Sequence, residues 1–261
     1  MKCDCRHELT HHTLNVEETT HEPPDSQHTG QPVARSTFDR WWLEELRGDP
    51  AYESVVTPLL MEVLQPQPAS RYLDLGCGEG RIMRALNAAG ARAHGVDLSL
   101  RLVRGMTGQA AVADVAALPL RSDVYDGTLC VLTLEHVRDH SSVFREAARV
   151  TRPGGVLAMV LNHPVWTAPG STPITDSDGE VLWRPGEYFS TGNSVMGIGA
   201  GTVTFFHRTM SHLLNAAATA DWILQRMVEQ PHDELTDQSG IPRLLACRWE
   251  LMAQESGPNS G

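Results

Sequence analysis

The sequence has no apolar run approaching the ~20 residues of a membrane-spanning helix, so no membrane partner is expected. It has no Cys-x-x-Cys pair, and its five cysteines are an odd count. Both features argue against a disulfide framework and for a reduced, cytoplasmic setting. Basic residues are in deficit: 21 Lys and Arg stand against 32 Asp and Glu, giving a net charge of −11 and a pI near 5.5. A broad nucleic-acid-binding face is normally basic, so no nucleic-acid partner is expected, although a local basic groove is not excluded. Large apolar residues are few in residues 1–34, which are rich in His, Thr, Glu and Pro. That composition predicts a disordered tail and lacks the apolar core of a signal sequence. Cys3, Cys5, His7, His11 and His12 could be written as a metal cluster, but Cys-x-Cys-x-His matches no structural zinc spacing. No metal is therefore assigned, and no internal repeat is visible.

What is present centres on one stretch, Arg71-Tyr72-Leu73-Asp74-Leu75-Gly76-Cys77-Gly78-Glu79-Gly80-Arg81-Ile82. Tyr72 to Leu75 read as a buried strand, and Ile82 to Ala89 as the helix that follows. The glycines between them allow a sharp turn that a ligand can approach closely. A strand, a glycine turn and a helix start form the nucleotide-binding corner of an α/β sheet. Asp74 and Glu79 would repel a pyrophosphate at such a corner, where amides and the helix dipole favour anions. They suit a ligand with a cationic amino-acid end and no phosphate, which S-adenosylmethionine is. A dinucleotide dehydrogenase is disfavoured on the same ground.

Asp-Leu-Gly-Cys-Gly-Glu-Gly resembles the first motif of the class I S-adenosylmethionine-dependent methyltransferases. The resemblance runs over about Arg71 to Arg152 and more loosely to Met252. It implies donor contacts at Asp74, Gly76, Cys77 and Gly78. Ala91 to Asp97 read as the second strand; Asp97, with Leu98 beside it, falls where an acid accepts from ribose hydroxyls. Asp97 could instead cap the helix from Ser99. Asp114 and Val115 match the family's adenine motif, although Asp114 could simply cap a short helix. Val124 to Val131 read as the fourth strand. Cys130 and the residues after it should bring their backbone to the methionyl part of the donor. Arg152-Pro153-Gly154-Gly155 is a further family match, a turn leading into the fifth strand, Val156 to Leu161.

Before the glycine turn, Phe38 to Leu46 and Asp49 to Leu64 read as helices, with Trp41, Trp42 and Leu46 as an apolar stripe and Pro58 as a kink or break. In the family such helices often cover the donor. Residues 163–201 are rich in Pro and Gly and look irregular, the pattern of a lid insertion. Trp166, Trp183, Tyr188 and Phe189 on it suit an apolar or aromatic acceptor, or simply pin it to the core. Met210 to Thr219 read as a helix, and Trp222 to Val228 and Leu244 to Leu251 as the last two strands.

The expected architecture is an α/β, Rossmann-like, mostly parallel sheet of seven strands. Helices lie on both faces, the last strand is antiparallel, and N-terminal helices and a lid are added. The expected layout is a tail at 1–34, a single domain at 35–254 with N-terminal helices at 35–68 and the lid at 163–201, and a loose tail at 255–261. The function implied is methyl transfer from S-adenosylmethionine to a small molecule, oxygen slightly favoured over nitrogen or carbon. A protein or RNA methyltransferase and a non-catalytic donor-binding partner are the alternatives. The protein's part is mainly proximity and orientation, since the donor carries the activation. An acceptor that must lose a proton needs a base; His163 and His136 are the first candidates by position and His207 the third.

Overall fold

The computed structural model describes residues 50–106, 108–198, 201–231 and 240–253. The tail expected at 1–34, the helix expected from Phe38 to Leu46 and the tail expected at 255–261 lie outside them. The described chain opens on a helix from Pro50. Its early part, Tyr52–Val56, is wound wide, with the Thr57 N–H donating to the Tyr52 carbonyl, and α1 (Thr57–Leu64) continues it. Pro58 thus does not end the helix. It has no N–H to offer the Ser54 carbonyl, and the wide turn immediately before it absorbs the mismatch.

The elements that follow are β1 (Arg71–Leu75), α2 (Arg81–Ala88), β2 (Arg92–Asp97), α3 (Leu100–Arg104), β3 (Gln109–Val112), β4 (Tyr125–Val131), α4 (His140–Val150) and β5 (Thr151–Asn162). Then come α5 (Pro164–Thr167), β6 (Thr172–Thr175), β7 (Val181–Arg184), β8 (Asn193–Ile198), β9 (Gly201–Phe206), α6 (Met210–Thr219), β10 (Trp222–Pro231) and β11 (Pro242–Leu251). The main sheet has the order β10-β11-β5-β4-β1-β2-β3. β11 runs antiparallel to both neighbours, and the other pairings are parallel. This is the expected seven-stranded Rossmann-like sheet.

Parallel central strands must bury both faces, and the sequence supplies apolar residues in both phases. Along β5, Leu157, Met159 and Leu161 pack with Val143, Phe144 and Ala147 of α4 and Leu213 and Ala217 of α6. Ala158 and Val160, in the opposite phase, pack with Leu60, Val63 and Leu64 of α1 and Ile82, Met83 and Leu86 of α2. The same alternation places Cys130 on the α4 side and Leu129 and Val131 on the α1 side. Among the described residues no helix is long and apolar enough to cross a membrane.

Two local expectations change. Arg152 to Gly155 do not precede β5 but lie within it. Pairing with β4 jumps from Tyr125–Thr151 to Gly127–Val156, so these residues bulge out of the ladder, with Gly154 at φ 76°. The stretch from 163 is not irregular either. It holds α5 and two hairpins, β6–β7 and β8–β9. The Pro and Gly residues that suggested disorder punctuate these elements. Asp176 Oδ1, for example, accepts from the Asp178 and Glu180 N–H groups at 2.9 Å to close the β6–β7 turn beside Gly179.

Candidate active site

A cavity of about 260 Å3 opens at the carboxyl ends of β1, β2 and β4, where the strand order reverses between β1 and β4. Its floor is Asp74. This side chain is 2 % exposed, and its Oδ2, buried, has no hydrogen-bond partner. Burial, followed by repulsion from Asp97 and Glu79, pushes its carboxyl up to about 7. A buried carboxylate oxygen left open at a cavity floor calls for a cation or a donor.

The glycine turn shapes one wall. Gly76 sits at φ 81°, and a Cβ there would lie 2.3 Å from the Thr133 Oγ1 and Cγ2 atoms. Only glycine accommodates both the left-handed backbone and the approach of the loop after β4. The Gly78 N–H donates to Asp97 Oδ2 at 2.9 Å, and the Ser99 N–H donates to Asp97 Oδ1 at 2.8 Å. Asp97 therefore joins the glycine turn to the end of β2. Its carboxylate oxygens are acceptors of the kind a vicinal diol can use. The expected cap of the next helix falls to Ser99, whose Oγ accepts from the Leu102 N–H at 3.2 Å.

Glu79, expected to add negative charge, is instead paired. Its Oε1 lies 3.2 Å from Arg81 Nε, and the Arg81 guanidinium stands 4.4 Å over the Tyr52 ring. Leu98, Leu102 and Val115 give the cavity an apolar side. Val115 is buried, whereas Asp114 is exposed and does not line the cavity. Its Oδ1 accepts from the Ala116 N–H at 2.9 Å, the local cap that sequence alone leaves open. Cys77 lines the cavity, and burial pushes its thiol well above the usual range.

Cys130 does not reach the cavity. Strand alternation turns it to the opposite face, fully buried, and Val131, Leu132 and Thr133 line the site in its place. Of the three histidines, only His136 is at the cavity. Its ring packs 4.8 Å from that of Phe205, and its Nδ1 lies 3.4 Å from the Thr204 carbonyl oxygen. His163 is not among the residues lining the cavity. It caps α5, its Nδ1 accepting from the Val165 N–H at 3.2 Å while Nε2 meets Glu229 Oε1 at 2.9 Å. Burial outweighs Glu229 and lowers its pKa, so both nitrogens are committed in the neutral ring. His207 is tied to Thr167 Oγ1 at 2.9 Å and to the Tyr188 carbonyl at 2.8 Å, away from the cavity.

Tyr52, Arg81 and Thr133 line the site and escape sequence reasoning. Arg81 follows the third glycine directly, a position that could have been read as the partner of Glu79. Tyr52 lies on the helix before β1 and Thr133 in the stretch after Cys130, both expected near the donor, but sequence alone does not single out these two side chains. Among the described residues no cluster of His, Cys, Asp and Glu could hold a metal.

Comparison with known proteins gives a consistent pattern. Residues 73–159 match a family described as a methyltransferase domain. Over 129 residues the chain is 33% identical to the ubiquinone biosynthesis O-methyltransferase of Ralstonia nicotianae, covering 44% of this chain and 53% of that protein. With the protein of the same name from Bordetella avium the identity is 35% over 131 residues, with the same shares covered. The chain thus spans about half the length of the curated relatives it matches. The crystal structure of an S-adenosylmethionine-dependent methyltransferase from Mesorhizobium loti superposes with a TM-score of 0.66 at 26% identity, over 78% of this chain and 99% of that one.

Proposed function

We propose that the chain is a class I S-adenosylmethionine-dependent methyltransferase that methylates a hydroxyl oxygen of a small-molecule acceptor, a reading supported by the match of residues 73–159 to a methyltransferase domain and by the likeness to the Mesorhizobium loti structure. The observation that carries this reading is Asp74, a buried carboxylate with an open oxygen at the floor of the cavity. S-adenosylmethionine, when bound, supplies an activated methyl group on a sulfonium. In this reading Asp74 meets its ammonium, the backbone of Gly76, Cys77 and Gly78 borders its methionyl end, and Asp97 accepts from the ribose hydroxyls. Leu98, Leu102 and Val115 flank the adenine, with Asp114 at the margin.

His136 is the residue assigned to take the acceptor proton. Its Nδ1 faces the Thr204 carbonyl, so with a proton on Nδ1 the acceptor proton goes to Nε2. Oxygen is favoured because both named relatives are O-methyltransferases. The stretch 163–201 acts as the lid. Arg243 of β11 stands 4.8 Å over the Trp166 ring, which packs on Trp183 at 4.2 Å, and Tyr188 sits against His207, so these pin it, while Phe189, 89 % exposed, is the aromatic left to meet an apolar acceptor.

The test is calorimetric titration with S-adenosylmethionine, S-adenosylhomocysteine and NAD on wild type and Asp97→Ala, followed by a screen of hydroxylated aromatics. Micromolar binding of both sulfur ligands, weakened by the substitution and absent for NAD, is expected. Turnover of a hydroxylated acceptor should then fall about 100-fold or more in His136→Ala. Binding of NAD in place of the sulfur ligands overturns the reading.

A further inference from the structure

Arg208 is a buried cation, 8 % exposed, at the junction between β9 and α6. Among the described residues its guanidinium makes no ion pair. It donates from Nη1 to the Leu134 carbonyl at 2.9 Å and to the Phe206 carbonyl at 3.2 Å, and from Nη2 to the Arg138 carbonyl at 2.9 Å and to the Val137 carbonyl. Three of these four acceptors lie on the turn that carries His136, with Leu134 before it and Val137 and Arg138 after it. The fourth, Phe206, belongs to β9, whose Thr204 carbonyl and Phe205 ring meet the His136 imidazole. A second tie holds the turn: buried Glu135 accepts at Oε1 from the Asn162 N–H at 3.2 Å and from Asn162 Nδ2 at 2.6 Å.

We propose that Arg208 is a positioning residue, its fork gripping the backbone on both sides of His136 and locking that imidazole at the wall of the donor cavity. The chemistry requires an arginine. A planar group with five donors can serve carbonyls before and after one residue at once, whereas an ammonium is a point charge on a flexible stem. Burying a cation is costly, and the burial here brings Arg208 down to about 10, with Glu135 and Asp139 opposing that shift. A buried cation directed wholly at main-chain carbonyls fixes the course of a loop and meets no ligand itself. Its catalytic consequence rests on the reading of His136 given above; its structural consequence does not.

The test compares wild type, Arg208→Lys and His136→Asn, with S-adenosylhomocysteine as the calorimetric probe and a hydroxylated aromatic found by the screen as acceptor. Arg208→Lys should bind S-adenosylhomocysteine within about 3-fold of wild type, because Asp74 and Asp97 are untouched. Its kcat should fall about 10- to 100-fold with little change in KM, the scale expected from a misplacement of the order of 1 Å. The His136 imidazole resonance, assigned by its loss in His136→Asn, should move and broaden. Should Arg208→Lys not fold, wild type itself decides. The Arg208 Nη protons should give separate, slowly exchanging resonances, and a single averaged signal would mean that the fork is not engaged. An unmoved His136 resonance in Arg208→Lys overturns the inference, as does a loss of S-adenosylhomocysteine binding as large as the loss of turnover. If His136→Asn keeps full turnover while Arg208→Lys still moves the resonance, the base assignment fails and the positioning inference stands.

Discussion

Asp74 is the residue on which the proposed donor site turns, and its burial makes that site sensitive to pH. Its carboxyl is raised to about 7 in the folded chain, above the ordinary value of about 4 in an unfolded one. In the free protein Asp74 therefore favours folding when protonated. That contribution is complete below about pH 4 and lost as pH rises through about 7. Binding a cationic group needs the carboxylate, so affinity for S-adenosylmethionine should weaken about tenfold per pH unit below about 7. Titration calorimetry from pH 5.5 to 8.5 measures the slope. Asp74→Asn should remove this slope and weaken binding about 10- to 100-fold at pH 8, the scale of a lost charge-assisted bond. Gly76→Ala tests the turn. With φ at 81° and Thr133 2.3 Å from the added methyl, it should destabilise the fold by about 1–3 kcal/mol. Thermal melting should show that loss, and donor binding should fall with it. Thr133→Ala in the same chain should recover only the part due to the contact, since the backbone strain remains.

At the scale of elements, α5 shows how a candidate base becomes a structural cap. His163 stands at the end of β5, on the carboxyl side of the sheet, which is why position alone made it attractive. Yet its ring accepts from Val165 N–H and meets Glu229 of β10, so it fastens the start of the 163–201 stretch to the sheet edge. His163→Ala should lower stability by about 0.5–2 kcal/mol, the range for a lost helix cap, with turnover of the identified acceptor unchanged. Denaturant unfolding alongside an activity assay checks both halves, and a large loss of kcat would restore His163 to the mechanism. The 163–201 stretch also marks where composition misled. Pro and Gly density reads as irregular chain, but paired short strands need long-range contacts that a local pattern does not display. A long periodic element fared better: α6 spans Met210–Thr219 as expected.

At the scale of the whole molecule, titratable groups on several elements act in one direction. His94, His140, His163 and His207 all have lowered pKa values, burial being the largest cause in each. They are held neutral in the fold and take up protons more readily when unfolded. Their stabilising contribution is present above about pH 6.5 and lost as pH falls. Asp74 works the opposite way between about pH 4 and 7. Urea midpoints at pH 8, 6.5 and 5.5 should therefore decline toward acid, and the decline should be steeper in Asp74→Asn, where the opposing group is gone. A midpoint that stays level in Asp74→Asn would mean that these histidines remain accessible to protons in the fold.

The sequence by itself determined the sheet and the glycine corner at the end of β1. Alternating apolar residues, three spaced glycines and an acid at the end of β2 are local patterns with few structural solutions, and Asp74, Gly76, Gly78 and Asp97 were legible from them. Tertiary structure alone decided which side chains share the cavity. It turned Cys130 to the far face by the period of the strand and used Asp114 and His163 as caps. It paired Glu79 with Arg81, brought the Tyr52 and Thr133 side chains to the cavity, and set Arg208 across the turn bearing His136. Those outcomes depend on contacts between residues far apart in the chain, where burial and competing hydrogen-bond partners, not spacing, fix what each group does.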